Sequence, residues 1–404
     1  MNLEKPVLGA FFILMLFLGV SNLWDHKVSH EFPYSYMASD TFQQQTRAEG
    51  IKEAGNYKYE PFYITKGWED VIGYYPPVLH HAGILLSFSA GMETYDTVYF
   101  MVFFNAILAS LIMYFIIRKY NKHIAILSLP LSILIFSDKS YVGFLWGHWA
   151  SITGQLFLIA SFWAIANFER KGIEILLGLF LAALALSHTS ELIYAAGFIA
   201  IFSLVLLFYR KFNFEYVKKM SIAAAISLVL SFYSLYIFYY SFKVVNPYQF
   251  EVSNDWGGTP IFGIGDFELL LIFMAIGFIA SFLLFRKMDA AILAGVFMLL
   301  VGYTNYIGFG IRAFQPRLFW PIYLSIFFGL GLYMLLKLIP SRFVTLSSLV
   351  VSIIFILPGS ESPSRALRSL RRRTFQIISP CCLISQRRSR SNPTSIIAEI
   401  WTLG

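Results

Sequence analysis

The stretch VLHHAGILLSFSAG (78–91) is apolar enough to enter a membrane, yet its 14 residues reach only about 21 Å as a helix at 1.5 Å per residue. Whether it crosses sets the sidedness of everything after it. Beyond it, basic residues recur in clusters: Arg118/Lys119/Lys122, Arg170/Lys171, Arg210/Lys211/Lys218/Lys219, Arg286/Lys287 and Lys337/Arg342. Successive clusters leave room for one out-and-back hairpin each, and Lys/Arg clusters mark the cytoplasmic side of a membrane. If 78–91 crossed, the METYD loop (92–96) would be cytoplasmic and every later basic cluster external. The charge pattern therefore predicts a re-entrant or interfacial helix on the outer side.

Counting on that basis gives spans near 7–24, 97–117, 123–137, 148–168, 172–187, 191–209, 220–241, 267–285, 289–303, 318–336 and 342–357. The expected fold is thus an all-α polytopic membrane protein of about eleven transmembrane helices (10–13), N-terminus inside. Composition agrees: 57% of the 404 residues are hydrophobic and 13% charged, against roughly a quarter charged in soluble domains. The run Val7–Trp24 has no A-x-A-like cleavage site, so it reads as a retained anchor. The long polar segments 25–96, 138–147, 242–266 and 304–317, with the SHTSE turn (187–191), then all face outward. The middles of the spans carry no Asp, Glu, Lys or Arg, which argues against an ion-coupled transporter, where such groups sit near the midplane.

The net charge of +8 does not indicate a nucleic-acid partner, because it is concentrated at one end. Residues 360–404 hold 8 Arg and 2 Glu, and 1–359 hold 23 Lys+Arg against 21 Asp+Glu. The tail has no Lys or Tyr, and it carries both cysteines, Cys381 and Cys382. Two readings stay open for 358–404: a basic surface arm, or an out-of-frame or truncated terminus in place of a lost domain. The body, 1–357, is the transmembrane domain.

The first outer loop opens with a helix. Ser39 or Asp40 starts it and Gly55 ends it at a C′ position, with Phe42, Thr46, Ile51 and Ala54 on one side. Such a helix suits the membrane surface. Asp40 has two roles open: a capping-box-like start with Gln43, or an exposed carboxylate acting as general base or cation ligand. Further on, GYYPPVLHH (73–81) reads as a membrane landing. Pro77 suits the N1 position, Tyr74 and Tyr75 suit the interface, and His80 or His81 is within reach of a donor phosphate.

One span, a large outer loop with an early Asp, a helix of the pattern a..i...G.Y and a tyrosine-rich YYPP...H approach to the next apolar segment together resemble the GT-C membrane glycosyltransferases. Within that fold the likeness is to the protein mannosyltransferases and the prokaryotic aminoarabinose and mannosyl transferases, and it covers the body to about residue 357. It implies a polyprenyl-phosphate sugar donor, an extracytoplasmic active site in a prokaryotic cell membrane, and an acidic first-loop residue as base, here Asp40. The family's second acidic residue in this loop would be Glu69 or Asp70. A divalent cation (Mg or Mn) is optional, and the acceptor is a glycan, lipid or protein. Members often carry a soluble outer domain where this chain has its Arg/Ser tail.

The other outward segments add candidates. In FLWGHWASITGQ (144–155), His148 lies between Trp146 and Trp149. The tryptophans suit an aromatic belt, and the histidine suits a phosphate or sugar hydroxyl. In LSHTSELIY (186–194), His188 and Glu191 stand at i, i+3, able to orient a hydroxyl or join a metal site. Alternatively Thr189 or Ser190 caps the next helix, with Glu191 complementing its dipole. In the glycine-rich VSNDWGGTPIFGIGDF (252–267), Asp255 and Trp256 suit sugar recognition, and a plain connector is the alternative. Arg312 and Arg317 are the body's outward arginines beyond the first loop, disfavoured there by the positive-inside rule and suited to phosphate oxygens. No nucleotide-binding motif is present, in keeping with a lipid-linked donor. The competing functions are a solute or lipid transporter (a flippase included) and a non-catalytic relative of the enzymes.

Overall fold

The computed structural model describes residues 4–29, 39–55, 76–137, 139, 143–144, 147–244, 262–307 and 314–337. All regular structure among them is helical. In chain order the helices are α1 (Glu4–Ser29), α2 (Ser39–Ala54), α3 (Val78–Ala90), α4 (Thr94–Arg118), α5 (Lys122–Ser132), α6 (Trp149–Ala166), α7 (Ile173–Ala185), α8 (Thr189–Phe208), α9 (Phe214–Val244), α10 (Leu270–Leu284), α11 (Asp289–Val301), α12 (Phe314–Leu318), α13 (Trp320–Tyr323) and α14 (Ser325–Leu336). Each expected span from 7–24 to 318–336 falls on helix, the last on the broken run α12–α14, and 342–357 lies outside the described residues. Among the described residues, five helices are long and apolar enough to cross a membrane: Thr94–Arg118, Trp149–Ala166, Ser190–Phe208, Phe214–Tyr236 and Leu270–Lys287.

The basic clusters gather at one end of the bundle, where polar contacts tie neighbouring helices. Arg118 and Tyr114 both donate to Glu4, the latter at 2.7 Å, fixing α1 to α4. Lys119 pairs with Glu169 at 2.7 Å. Lys219 donates to the carbonyls of Phe168 and Arg170 (3.0 and 3.1 Å), and Tyr120 donates to Asp289 at 3.1 Å. These side chains complete the carbonyl ends and charge balance of helices that would otherwise end unpaired.

Inside the bundle, glycines let helices touch. A Cβ on Gly277 of α10 would lie 1.8 Å from the Phe327 carbonyl oxygen of α14, and one on Gly331 of α14 would lie 1.9 Å from the Phe273 oxygen of α10. Reciprocal small residues permit this backbone-on-backbone approach, as in membrane helix pairs. Gly178 of α7 plays the same part against Ala223 and Ile226 of α9.

Both ends of α3 lie at the end of the bundle opposite the basic clusters. Its first N–H, on Val78, bonds the carbonyl of Leu186 (3.0 Å) beside the turn between α7 and α8. Gly91 ends it at φ +64°, and after two intervening residues α4 begins at Thr94, against Lys52 of α2 (3.3 Å). At 13 residues, about 20 Å by helical rise, α3 folds back along the first turns of α4, where Gly83 admits Val98. It therefore does not run from one end of the bundle to the other. Pro77 stands one position earlier than expected, as N-cap rather than N1.

Candidate functional site

The site is built at the end of the bundle away from the basic clusters, around the segment 143–148. The His148 N–H bonds the Gly143 carbonyl oxygen (3.2 Å), drawing the two ends of this segment together. Gly147, at φ +80°, lies against the start of α2. A Cβ there would stand 2.4 Å from the Thr41 nitrogen, 2.5 Å from the Asp40 carbonyl carbon and 2.8 Å from the Asp40 Cβ. Only glycine combines that backbone angle with that approach. At the other end, a Cβ on Gly143 would stand 2.7 and 2.8 Å from the two methyl carbons of Leu318, the residue after Arg317. One short segment thus holds Asp40 on one flank and the Arg317-bearing helix on the other.

Asp40 is half-buried in the first turn of α2, where a carboxylate also complements the helix dipole. The helix runs Ser39–Ala54 with Gly55 at φ +67°, and it packs on the bundle through Thr41, Gln44 and Ala48, at i, i+3 and i+7. Phe42 stays 45% exposed on another side.

His148 is the half-buried N-cap of α6. Its neighbour Trp149 corrects the aromatic-belt reading. Trp149 is fully buried, donates Nε1–H to the Phe144 carbonyl (2.7 Å) and stacks beside Tyr99 at 5.5 Å. Its indole thus pins the 143–148 segment from beneath rather than meeting lipid. Trp146 lies outside the described residues.

Arg317 sits on the short helix α12, only 5% exposed. Its Nε has no hydrogen-bond partner among the described residues, and no described carboxylate pairs with it. Burial holds its guanidinium below the usual arginine range, and Tyr306 and Tyr303 only partly oppose that shift. A buried cation without a counter-charge is costly, and a bound anion would supply one. Tyr303 and Trp320 pack nearby with ring centroids 5.2 Å apart.

His188 and Glu191 meet, though not on one continuous helix: His188 is the extended N-cap of α8 and Glu191 its third residue, and His188 Nδ1 bonds Glu191 Oε2. The N-cap of α8 is His188 itself, not Thr189 or Ser190. Glu191 is 0% exposed, which corrects its assignment as a pocket-lining residue. Its Oε1 accepts from Ser151 (2.5 Å) and Gln155 (3.0 Å) of α6, and the Gln155 carbonyl accepts from Tyr323 (2.5 Å) of α13. Nothing in the sequence marks Tyr323, and the only local signal for Ser151 and Gln155 is the spacing 148, 151, 155, which places them on one face of α6 below His148.

His80 is corrected too. It is 1% exposed, bonds Gln44 at 2.8 Å and joins α3 to α2, so it faces no donor phosphate. Burial first, then the nearby Arg47 and His81, pulls its pKa down to about 3. His81 is half-buried, its Nδ1 3.0 Å from the Pro77 carbonyl oxygen. Arg312, Asp255, Glu69 and Asp70 lie outside the described residues. Among the described residues no three His, Cys, Asp or Glu side chains gather to hold a metal.

No family model matches the chain, and no curated protein matches it. Solved structures of an oligosaccharyltransferase from Archaeoglobus fulgidus do. The apo form aligns at 13% identity with TM-score 0.59, covering 88% of this chain and 55% of that one. A complex with Zn and sulfate aligns at 14% identity and TM-score 0.60, covering 88% and 52%. A complex of that enzyme, AglB, with an inhibitory peptide and a dolichol-phosphate aligns at 13% and 0.59, covering 89% and 55%. The chain spans about half the length of the structures it matches. What it shares with them, over nearly nine-tenths of its own length, is the GT-C fold.

Proposed function

We propose that this protein is a membrane glycosyltransferase that moves a sugar from a polyprenyl-phosphate donor to an acceptor on the outer membrane face. The observation that carries the reading is the pair of flanks on the 143–148 segment: a carboxylate, Asp40, at Gly147, and a buried arginine with no carboxylate partner among the described residues, Arg317, one residue before the Leu318 that meets Gly143. The dolichol-phosphate and inhibitory-peptide complex of the archaeal enzyme, similar in fold, lends support for a lipid-phosphate donor and for an acceptor of peptide class.

In this reading Asp40 takes the proton of the acceptor O–H or N–H as that atom bonds the anomeric carbon. The bond from that carbon to the phosphate oxygen breaks, and its electron pair leaves with the lipid phosphate. Arg317 holds the departing phosphate with donors matched to its oxygens, and Arg312 assists from the same segment. Attack opposite the leaving group inverts the anomeric centre. His148, Glu69, Asp70, Asp255 and His81 belong to the same face as further substrate contacts. The eleven-span topology, with a cytoplasmic N-terminus in a prokaryotic cell membrane and an outward site, is part of this proposal.

The test is incubation of membranes containing the protein with labelled polyprenyl-phosphate sugars, followed by identification of the labelled product. Transfer that is lost in D40N and R317A supports the reading. Undiminished transfer in D40N would show that the assigned base is wrong.

A further inference from the structure

The Glu191 network does more than join helices. Three donors converge on a carboxylate that is wholly buried: Ser151 and Gln155 at Oε1 (2.5 and 3.0 Å) and His188 at Oε2. An ionised carboxylate only accepts hydrogen bonds, so Gln155 must turn its NH2 to Glu191, leaving its carbonyl for the Tyr323 hydroxyl (2.5 Å). By the same logic His188 must donate from Nδ1. In the neutral imidazole the second ring nitrogen then faces away from Glu191 and carries a lone pair. The His188 side chain is 11% exposed where Glu191 is 0% exposed. A buried carboxylate is a poor way merely to pack helices, since apolar residues of similar volume do as well or better. Holding an imidazole in one tautomer is a use that apolar residues cannot serve.

The position of the pair suggests what it meets. Glu191 packs against Ser151 and Gln155, on the face of α6 that opens with His148 one turn above. His148 closes the segment flanked by Asp40 and Arg317. If those two take the acceptor and the phosphate, the group between them is the sugar ring. We infer that Glu191 is a positioning residue fixing His188 in the Nδ1–H tautomer, and that His188 Nε2 accepts a hydrogen bond from a hydroxyl of the transferred sugar. This rests on the polyprenyl-phosphate reading above and adds a determinant of which sugar is taken.

The experiment uses the full-length protein in nanodiscs with a polyprenyl-phosphate hexose that it transfers and that donor's monodeoxy analogues. Wild type should lose about 10- to 100-fold in kcat/KM with one deoxy donor, the scale of one unmade buried hydrogen bond. H188N retains an amide N–H at the Nδ1 position for Glu191 but has no atom at Nε2. It should keep the wild-type thermal midpoint, lose a similar factor with the parent hexose and treat the two donors alike. E191Q offers His188 an N–H, turning Nδ1 into the acceptor and Nε2 into the donor, so it should behave as H188N although the histidine remains. In ¹⁵N-histidine spectra the wild-type Nε2 should show the shift of an unprotonated nitrogen, and E191Q should exchange the two nitrogens. H188N that retains both the wild-type rate and its discrimination among deoxy donors overturns the sugar contact. A protonated Nε2 in neutral wild-type His188 overturns the positioning role. If wild type transfers sugar from no polyprenyl phosphate, the underlying reading fails and takes the sugar contact with it, while the ¹⁵N spectra still decide whether Glu191 sets the tautomer.

Discussion

Gly147 lies so close to Asp40 that a methyl group at Gly147 would overlap the Asp40–Thr41 peptide at 2.4–2.5 Å. The contact is backbone against backbone, so neither side can yield by a rotamer change, and the φ of +80° excludes other side chains in any case. G147A is expected to displace α2 and lower transfer by about 100-fold or more, the usual cost of a small misplacement of a reacting group. G143A meets the Leu318 methyls instead, and a side chain can be trimmed. The double variant G143A/L318A should therefore recover much of the activity that G143A loses, whereas G147A has no such rescue. Activity and thermal midpoints of the set, in detergent, check this; equal impairment of G143A and G143A/L318A would contradict it.

The two roles open to Asp40 can be separated by one substitution. Asparagine serves helix N-termini about as well as aspartate, but it cannot take a proton at neutral pH. D40N should keep the thermal midpoint within a few degrees and lose about 10²- to 10⁴-fold in kcat, the range for a removed general base. A parallel fall in stability and activity would assign Asp40 to helix initiation alone.

Arg317 is predicted to cost stability in the free protein and to repay it on binding. Its Nε is buried without a partner among the described residues, so R317M should leave the ligand-free thermal midpoint unchanged or higher. The same variant should lose about 10²- to 10³-fold in kcat/KM for the lipid-linked donor. R317K should fall between, since lysine keeps the charge without the planar fork. A destabilised R317M would mean that the guanidinium already has a partner in the free protein.

His80 makes stability depend on pH in a defined sense. Its folded pKa, about 3, lies below the ordinary 6.5, so the unfolded chain takes up the proton first. The stability present above pH 6.5 is therefore lost progressively as pH falls from 6.5 towards 3. By pH 5 the loss from this one residue is about 2 kcal/mol, at 1.36 kcal/mol per pH unit. H80Q can still donate to Gln44 and does not titrate. Thermal midpoints across about pH 5–8, the window in which an ordinary histidine changes charge, should fall less steeply towards acid in H80Q than in wild type, and parallel slopes would refute the assignment.

The sequence by itself determined the features that follow from local chemistry. The spacing of basic clusters placed Arg118, Arg170, Arg210 and Arg286 at a common end, and the capping residues bounded α2 at Ser39 and Gly55. The three-residue offset of His188 and Glu191 put them in contact as N-cap and N3 of α8, across the helix start and not along one helical face. Tertiary structure alone decided the rest. No period in the sequence says that Gly147 touches Asp40 or that Gly143 touches Leu318, because a close approach depends on where two distant segments cross. Nor does residue type tell a membrane-belt tryptophan from Trp149, which is fully buried with its N–H satisfied by Phe144. His80 and His81 are adjacent and chemically alike, yet only His80 is turned inward onto Gln44. Burial is a property of the assembled bundle, and it is burial that separates His80, which braces α3, from its half-buried neighbour His81.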